Sequence, residues 1–277
     1  MSSPSGASAL HRGRSASRAL AMGGFTLGML GAATLHQQLA DTAEGHPIFQ
    51  RWMQAWADGL LRIFGMHVTL ASPPPSAASG ARLVVANHRS PIDILVLVKY
   101  FGGVVLSRAD LAQWPVLGLA ARRAETIFVD RQDTLSGITA IRTIRERLQQ
   151  GRTVIVFPEG STSLGDEVRP FLGGAFAAAR GLPVEIITAG IAYEPGAEFF
   201  NETFLHHIDR VAGRSVTQLA CAFGTGRPLT GHRKELADKL QQEVQALVTV
   251  ARDALPIGNP PATRGSTKPV PGQSSLV

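Results

Sequence analysis

The chain has 277 residues, 44% of them hydrophobic, enough to bury one substantial core. Twenty-seven Lys and Arg against 21 Asp and Glu leave a net charge of +6 and a pI near 10.2, which suits an anionic bilayer or phosphate-bearing ligands. The arginines are scattered and no RNA- or DNA-binding motif appears, which argues against nucleic acid. The single cysteine, Cys221, excludes an intrachain disulfide and reads as a packed strand residue, and no Cys/His spacing points to a metal.

Residues 1–18, with Arg12, Arg14 and Arg18, read as a basic, disordered amino terminus. Ala19 to Leu35 is uncharged, at the lower edge of the roughly 17–25 residues a span requires, and contains Gly24-x-x-x-Gly28. It reads as a span, as a re-entrant or interfacial segment, or as a secretory signal, although no small-x-small cleavage site follows. Next, Ile48, Phe49, Trp52, Met53, Trp56, Leu60 and Phe64 recur at helical spacing opposite Gln50, Arg51, Gln54, Asp58 and Arg62. This helix either lies in the headgroup layer with both tryptophans at the interface, or faces a core. Residues 19–66 are therefore assigned to membrane-associated helices.

A stiff Pro/Ser/Ala linker at 72–80 leads into an α/β domain over 81–253. Strands are expected near 82–86, 103–107, 126–129, 153–157, 184–191 and 215–222. They alternate with helices, and the alternation predicts one mixed, mostly parallel central sheet flanked by helices. Leu135, Ile138, Ile141, Ile144 and Leu148 make an apolar stripe on one such helix, and Arg233 to Ala251 forms a terminal one. Residues 254–277, rich in Pro, Gly, Ser and Thr, read as a disordered tail. His36, His206 and His207 read as solvated or helix-surface histidines.

The chemistry concentrates at strand ends. After the apolar run Arg82–Ala86, Asn87-His88-Arg89-Ser90-Pro91-Ile92-Asp93 offers Ser90 as N-cap and Pro91 as the first helical residue. His88 then sits in the strand-to-helix turn, and Asp93 can lean back toward the imidazole or cap the helix. Taken alone, the stretch is equally a capping box beside an ordinary turn histidine. A second cluster, Phe157-Pro-Glu-Gly-Ser-Thr-Ser163, follows the run Thr153–Phe157. In a parallel sheet both clusters emerge at carboxyl ends, where α/β folds place their sites. A third run, Thr126-Ile-Phe-Val-Asp-Arg131, ends in an arginine able to clamp an anion.

These residues resemble the glycerolipid acyltransferases typified by bacterial 1-acylglycerol-3-phosphate acyltransferase. The His-x4-Asp motif falls on His88 and Asp93, with Asn87 and Ser90 in place. The second motif falls on Phe128–Arg131, the third on Phe157–Ser163, and the fourth on Leu182-Pro-Val-Glu-Ile-Ile187. The likeness spans roughly residues 50–230, and four motifs in order make it specific.

The resemblance implies acyl transfer from acyl-coenzyme A or acyl carrier protein to a lysolipid hydroxyl, with no cofactor or metal. His88 is then the general base and Asp93 its orienting carboxylate. Backbone N–H groups around Glu159-Gly160 or near Ser90 are the expected oxyanion donors. Asn87, Ser90, Arg131, Glu159, Gly160, Ser161 and Thr162 are expected at the substrate. The alternative for Pro158-Glu159-Gly160 is a simple turn with Glu159 solvated.

Two departures bear on the acceptor. Ser161-Thr162-Ser163 lacks the arginine usual in the third motif, and Leu172 stands where a lysine commonly follows the next phenylalanine. Arg131 and Arg169 remain to hold a phosphate. The expected acceptor is 1-acyl-sn-glycerol-3-phosphate, giving phosphatidic acid. The alternatives are lyso-ornithine lipid or another lysophospholipid, and beyond those a thioester hydrolase or a non-catalytic lipid-binding protein. The implied location is the inner membrane, with the domain facing the cytoplasm. A single span after cytoplasmic arginines would carry the domain away from coenzyme A thioesters, and an interfacial segment avoids that conflict.

Overall fold

The computed structural model describes residues 4–39, 45–76, 80–130, 133–229 and 233–256. Strand β2 (Ala81–Ala86) is buried at every position, as a strand covered on both faces must be. Its side chains alternate between two cores, Val84 and Ala86 facing one and Leu83 and Val85 the other. The other strands are β1 (Met66–Leu70), β3 (Val104–Arg108), β4 (Ile127–Val129), β5 (Thr153–Val156), β6 (Val184–Tyr193), β7 (Thr217–Phe223) and β8 (Arg227–Pro228).

They form one mixed sheet in the order β1-β7-β6-β2-β5-β3-β4, with β8 paired to β6. All neighbours are parallel except β6–β7 and β6–β8. The six expected strands recur within two residues at each end. β1 and β8 were not expected, β1 because Met66-His67-Val68-Thr69-Leu70 is short and follows directly on a helix.

One core lies under α2 (Gly45–Ile63), α3 (Ile92–Phe101) and α7 (Phe204–Gly213). The other lies under α5 (Thr134–Gln149), α6 (Gly174–Ala179) and α8 (Arg233–Asp253). On α5 the core-facing row is Gly137, Ala140, Ile144 and Leu148, in steps of three and four. Leu135 and Ile138, expected on that stripe, are turned outward at 71% and 59% exposure. Cys221 is packed within β7, as its apolar setting indicated.

The amino-terminal region departs from expectation. Helix α1 runs from Pro4 to Leu39, so the basic stretch expected to be disordered is helical from residue 4. Its arginines are used internally. Arg14 Nη1 donates to Gly213 O at 2.8 Å, and Arg18 donates to Ala212 O, Arg214 O and Ser215 O at 3.0, 2.6 and 3.1 Å. Ser15 Oγ donates to Asp209 Oδ1 at 2.5 Å. The two arginines cap the carbonyl-rich end of α7, where a helix favours cations.

Further along, α1 packs on α2 and on α4 (Pro115–Arg123). The apolar stripe of α2 faces the protein, with Ala57, Leu60, Leu61 and Phe64 in the core. Both tryptophans also bond to α1. Trp52 Nε1 donates to His36 Nδ1 at 3.1 Å and Trp56 Nε1 donates to Thr26 Oγ1 at 3.0 Å, both on α1. α1 itself is long and apolar enough, over Ala9–Leu39, to cross a membrane by length and composition. Its outer face carries Leu20, Leu27, Leu35 and Leu39, all exposed.

Candidate active site

Strands β2 and β5 are parallel neighbours with Val85 opposite Val156, so the two motif-bearing loops leave the sheet side by side. His88 follows β2 by one residue, and Phe157 follows β5 directly. The two rings stack, their centroids 4.2 Å apart and their planes 18° from parallel. That contact fixes the imidazole plane.

Asp93, on the first turn of α3, is fully buried. Its Oδ2 accepts from His88 Nδ1 at 2.8 Å, from Arg89 N–H at 2.6 Å and from Ser90 N–H at 2.8 Å. A carboxylate oxygen accepts only, so His88 Nδ1 carries the proton and Nε2 is left as the basic nitrogen. No hydrogen bond to Nε2 forms among the described residues, and the His88 side chain keeps 13% exposure. The two roles open to Asp93 in the sequence are therefore filled together. It orients the imidazole and caps the turn. Helix α3 begins at Ile92 with Pro91 as its N-cap, one residue later than expected, and Ser90 Oγ accepts from Ile92 N–H at 3.2 Å.

The loops are bolted together by a buried ion pair. Arg89 Nη1 donates to Glu159 Oε1 at 2.9 Å, and the same guanidinium reaches Ser163 Oγ, Gly165 O and Glu167 O. Glu159 also accepts from His88 N–H at 2.7 Å and from Arg169 N–H at 3.0 Å. Its side chain is buried, not solvated. Each of its oxygens accepts from protein donors, and the carboxylate bridges the two loops.

Asn87 and Ser90, also expected at the substrate, are fully buried and bonded within the protein. Asn87 Nδ2 donates to Ile191 O and its Oδ1 accepts from Ile191 N–H, both at 2.8 Å, which ties the end of β2 to β6. Ser90 Oγ lies 2.9 Å from His207 Nε2. Gly160 adopts φ +72°, a left-handed turn that glycine accommodates freely, and its N–H is spent on Phe157 O at 3.1 Å. With Ser90 N–H spent on Asp93, neither is free as an oxyanion donor. Ser161 and Thr162 stay half-buried beside Arg169, whose Nη2 donates to Ser161 O, Ser161 Oγ and Thr162 O at 2.6, 2.7 and 3.1 Å. Arg131 lies outside the described residues. The fourth motif sits at the amino end of β6, the end of the sheet away from His88.

Residues 67–192 match the family model described as Acyltransferase. Over these residues the chain resembles that family. The lyso-ornithine lipid O-acyltransferase of Pseudomonas aeruginosa is 29% identical over 236 residues, covering 82% of this chain and 90% of that protein. The 1-acyl-sn-glycerol-3-phosphate acyltransferase of Neisseria meningitidis is 29% identical over 135 residues, 49% of this chain and 52% of that protein. Among solved structures, the 1-acyl-sn-glycerophosphate (LPA) acyltransferase of Thermotoga maritima shares the fold. Its TM-score is 0.65 at 17% identity, over 85% of this chain and 96% of that one.

Three residues near the His88–Asp93 pair carried no signal in the sequence. Arg89 is one of the four unspecified positions between His88 and Asp93. Tyr193 ends β6 two residues beyond the expected strand, and its Oη donates to Asp93 Oδ1 at 2.7 Å. His207, read as a surface histidine, is fully buried on α7. Burial lowers its pKa below the ordinary 6.5, against the opposing pull of Glu202. Burial would raise the Glu202 carboxyl, but hydrogen bonds from Arg210 and His207 outweigh it and hold it at about 2.

Proposed function

We propose that this protein transfers a fatty acyl group from acyl-coenzyme A or acyl carrier protein to the free hydroxyl of a lysolipid at a membrane surface. The observation that carries the reading is the free Nε2 of a histidine whose Nδ1 proton is held by a buried carboxylate. His88 Nε2 takes the acceptor's hydroxyl proton as its oxygen attacks the thioester carbonyl. The C–S bond breaks, the thiolate leaves, and the imidazolium returns the proton to it. Asp93 stabilises the imidazolium between these steps. The substrate supplies the nucleophile, so no acyl-enzyme forms.

The acceptor favoured is lyso-ornithine lipid. The Pseudomonas aeruginosa relative bearing that name aligns over nearly its whole length, and the third motif lacks the cations a phosphate would meet. The second reading, 1-acyl-sn-glycerol-3-phosphate yielding phosphatidic acid, is supported by the Neisseria meningitidis relative and by Arg131 in the second motif. In that reading Arg131 grips the phosphate.

The membrane contact is assigned to the outer face of α1. Because α1 is held to α7, α2 and α4 along its length, it lies in the plane of one leaflet with Leu20, Leu27, Leu35 and Leu39 inward. This keeps the domain on the cytoplasmic face of the inner membrane, beside its thioester donors. Mass spectrometry of products from labelled acyl-coenzyme A, with lyso-ornithine lipid and lysophosphatidic acid in competition, tests the reading. Labelled ornithine lipid is expected, labelled phosphatidic acid would transfer the assignment to the second acceptor, and free fatty acid alone would mark a hydrolase.

A further inference from the structure

Asp93 is gripped on two sides, and the second side involves residues outside all four motifs. Its Oδ2 serves His88 and the turn. Its Oδ1 receives one donor among the described residues, the Tyr193 hydroxyl at 2.7 Å. Tyr193 is 1% exposed, and burial together with the adjacent carboxylate holds its phenol well above the ordinary range. It therefore keeps its proton, and remains a donor, wherever an imidazole titrates.

The turn itself is held from α7. Ser90, whose N–H grips Asp93, has its Oγ 2.9 Å from His207 Nε2, and His207 Nδ1 lies 2.9 Å from Glu202 Oε1. Glu202, held at about 2, accepts from Nδ1. Burial disfavours the imidazolium, and with the Nδ1 proton held by that carboxylate Nε2 accepts from the Ser90 hydroxyl. This is the donation order of a serine-hydrolase triad. Ser90 and His207 are both 0% exposed, however, so no substrate reaches that hydroxyl. The array acts only by holding the turn.

We infer that Tyr193 and His207 are positioning residues for the His88–Asp93 pair, Tyr193 by fixing the carboxylate and His207 by fixing Ser90. The inference rests on the acyl-transfer reading of His88. The titratable and charged groups around Asp93 are Tyr193 from β6, Cys221 from β7, His207 from α7, Arg89 and His88 in the turn, and Glu159 beyond β5. Burial pushes the Cys221 thiol up, so it stays neutral. Loss of the Tyr193 donor leaves Asp93 a stronger partner for the imidazolium, which raises the pH at which His88 becomes a base.

The test measures kcat, acceptor KM and the pH dependence of kcat in the two-acceptor assay, using the full-length wild type, Tyr193→Phe, His207→Phe and His207→Gln. Tyr193→Phe is expected to lower kcat about tenfold, leave KM within about twofold and move the acid limb to higher pH by about half a unit to one unit. His207→Phe should also lower kcat about tenfold, and His207→Gln, whose amide reaches Ser90 Oγ, should recover most of it. If Tyr193→Phe fails to fold, the two His207 variants decide. An active wild type with unchanged kcat and acid limb in Tyr193→Phe would overturn the inference alone, as would equal loss in both His207 variants. A wild type making no acylated lipid would overturn it together with the proposed function.

Discussion

Arg89 Nη1 lies 2.9 Å from Glu159 Oε1 with both side chains buried, and this pair joins the His88 turn to the loop after β5. Removing one partner of a buried pair leaves the other charge without compensation, which costs about 3–5 kcal/mol. Glu159→Gln keeps the shape but loses the charge, and Glu159→Ala also strips the acceptor from His88 N–H. Both should lower the melting temperature in detergent, the alanine variant more. An alanine variant as stable as wild type would show that the pair does not hold the loops.

A second expectation concerns acid. His207 titrates below its ordinary 6.5 when folded, so the unfolded chain binds that proton first and stability begins to fall as pH drops through about 6.5. Glu202 is held at about 2 when folded against an ordinary 4.5, so its contribution is complete above about 4.5 and is lost as pH falls toward 2. Both act in the same direction. Urea midpoints between pH 8 and 3 should decline in two stages, and His207→Phe should remove the upper one. A midpoint flat through pH 6 in the wild type would contradict the assignment.

The clamp of α1 on α7 gives a third. Arg14 and Arg18 together donate to four carbonyls at the end of α7 and just beyond it. At about 1 kcal/mol net per bond, Arg14→Ala with Arg18→Ala should loosen the first half of α1 by several kcal/mol. Limited proteolysis should then cut before Leu20 much faster than in wild type, while the circular dichroism of the remaining domain persists. Equal cleavage rates would mean that α1 is held by its apolar contacts instead.

The outer face of α1 gives a fourth. Leu20→Asp with Leu27→Asp alters exposed positions. The melting temperature should therefore stay within a few degrees, while binding to vesicles of anionic lipid falls about tenfold or more. Unchanged flotation would place the membrane contact elsewhere.

What the sequence carried and what it withheld follow from the same physics. His88, Asp93, Phe157 and Glu159 were legible because strand ends, a proline and a glycine bracket them at fixed spacing. The partners of those residues were not. Glu159 was expected to meet solvent or substrate, because nothing local reveals that Arg89 turns inward. Tyr193 and His207 reach Asp93 and Ser90 from 100 and 117 residues away, contacts that only the packing of β6 and α7 creates. Likewise the arginines of α1 looked like a disordered basic tail, since their acceptors are backbone carbonyls at 212–215. The stripe on α2 was visible, but periodicity cannot say whether an apolar face meets lipid or protein.

The central claim is that His88 is the base of an acyl transfer to a lipid hydroxyl. The most direct measurement is the two-acceptor product assay run on purified wild type and His88→Ala side by side, with circular dichroism confirming that both are folded. The account predicts labelled acylated lipid from the wild type, and a loss of at least about a thousandfold in kcat in the variant. Labelled lipid from a folded His88→Ala at the wild-type rate would contradict it.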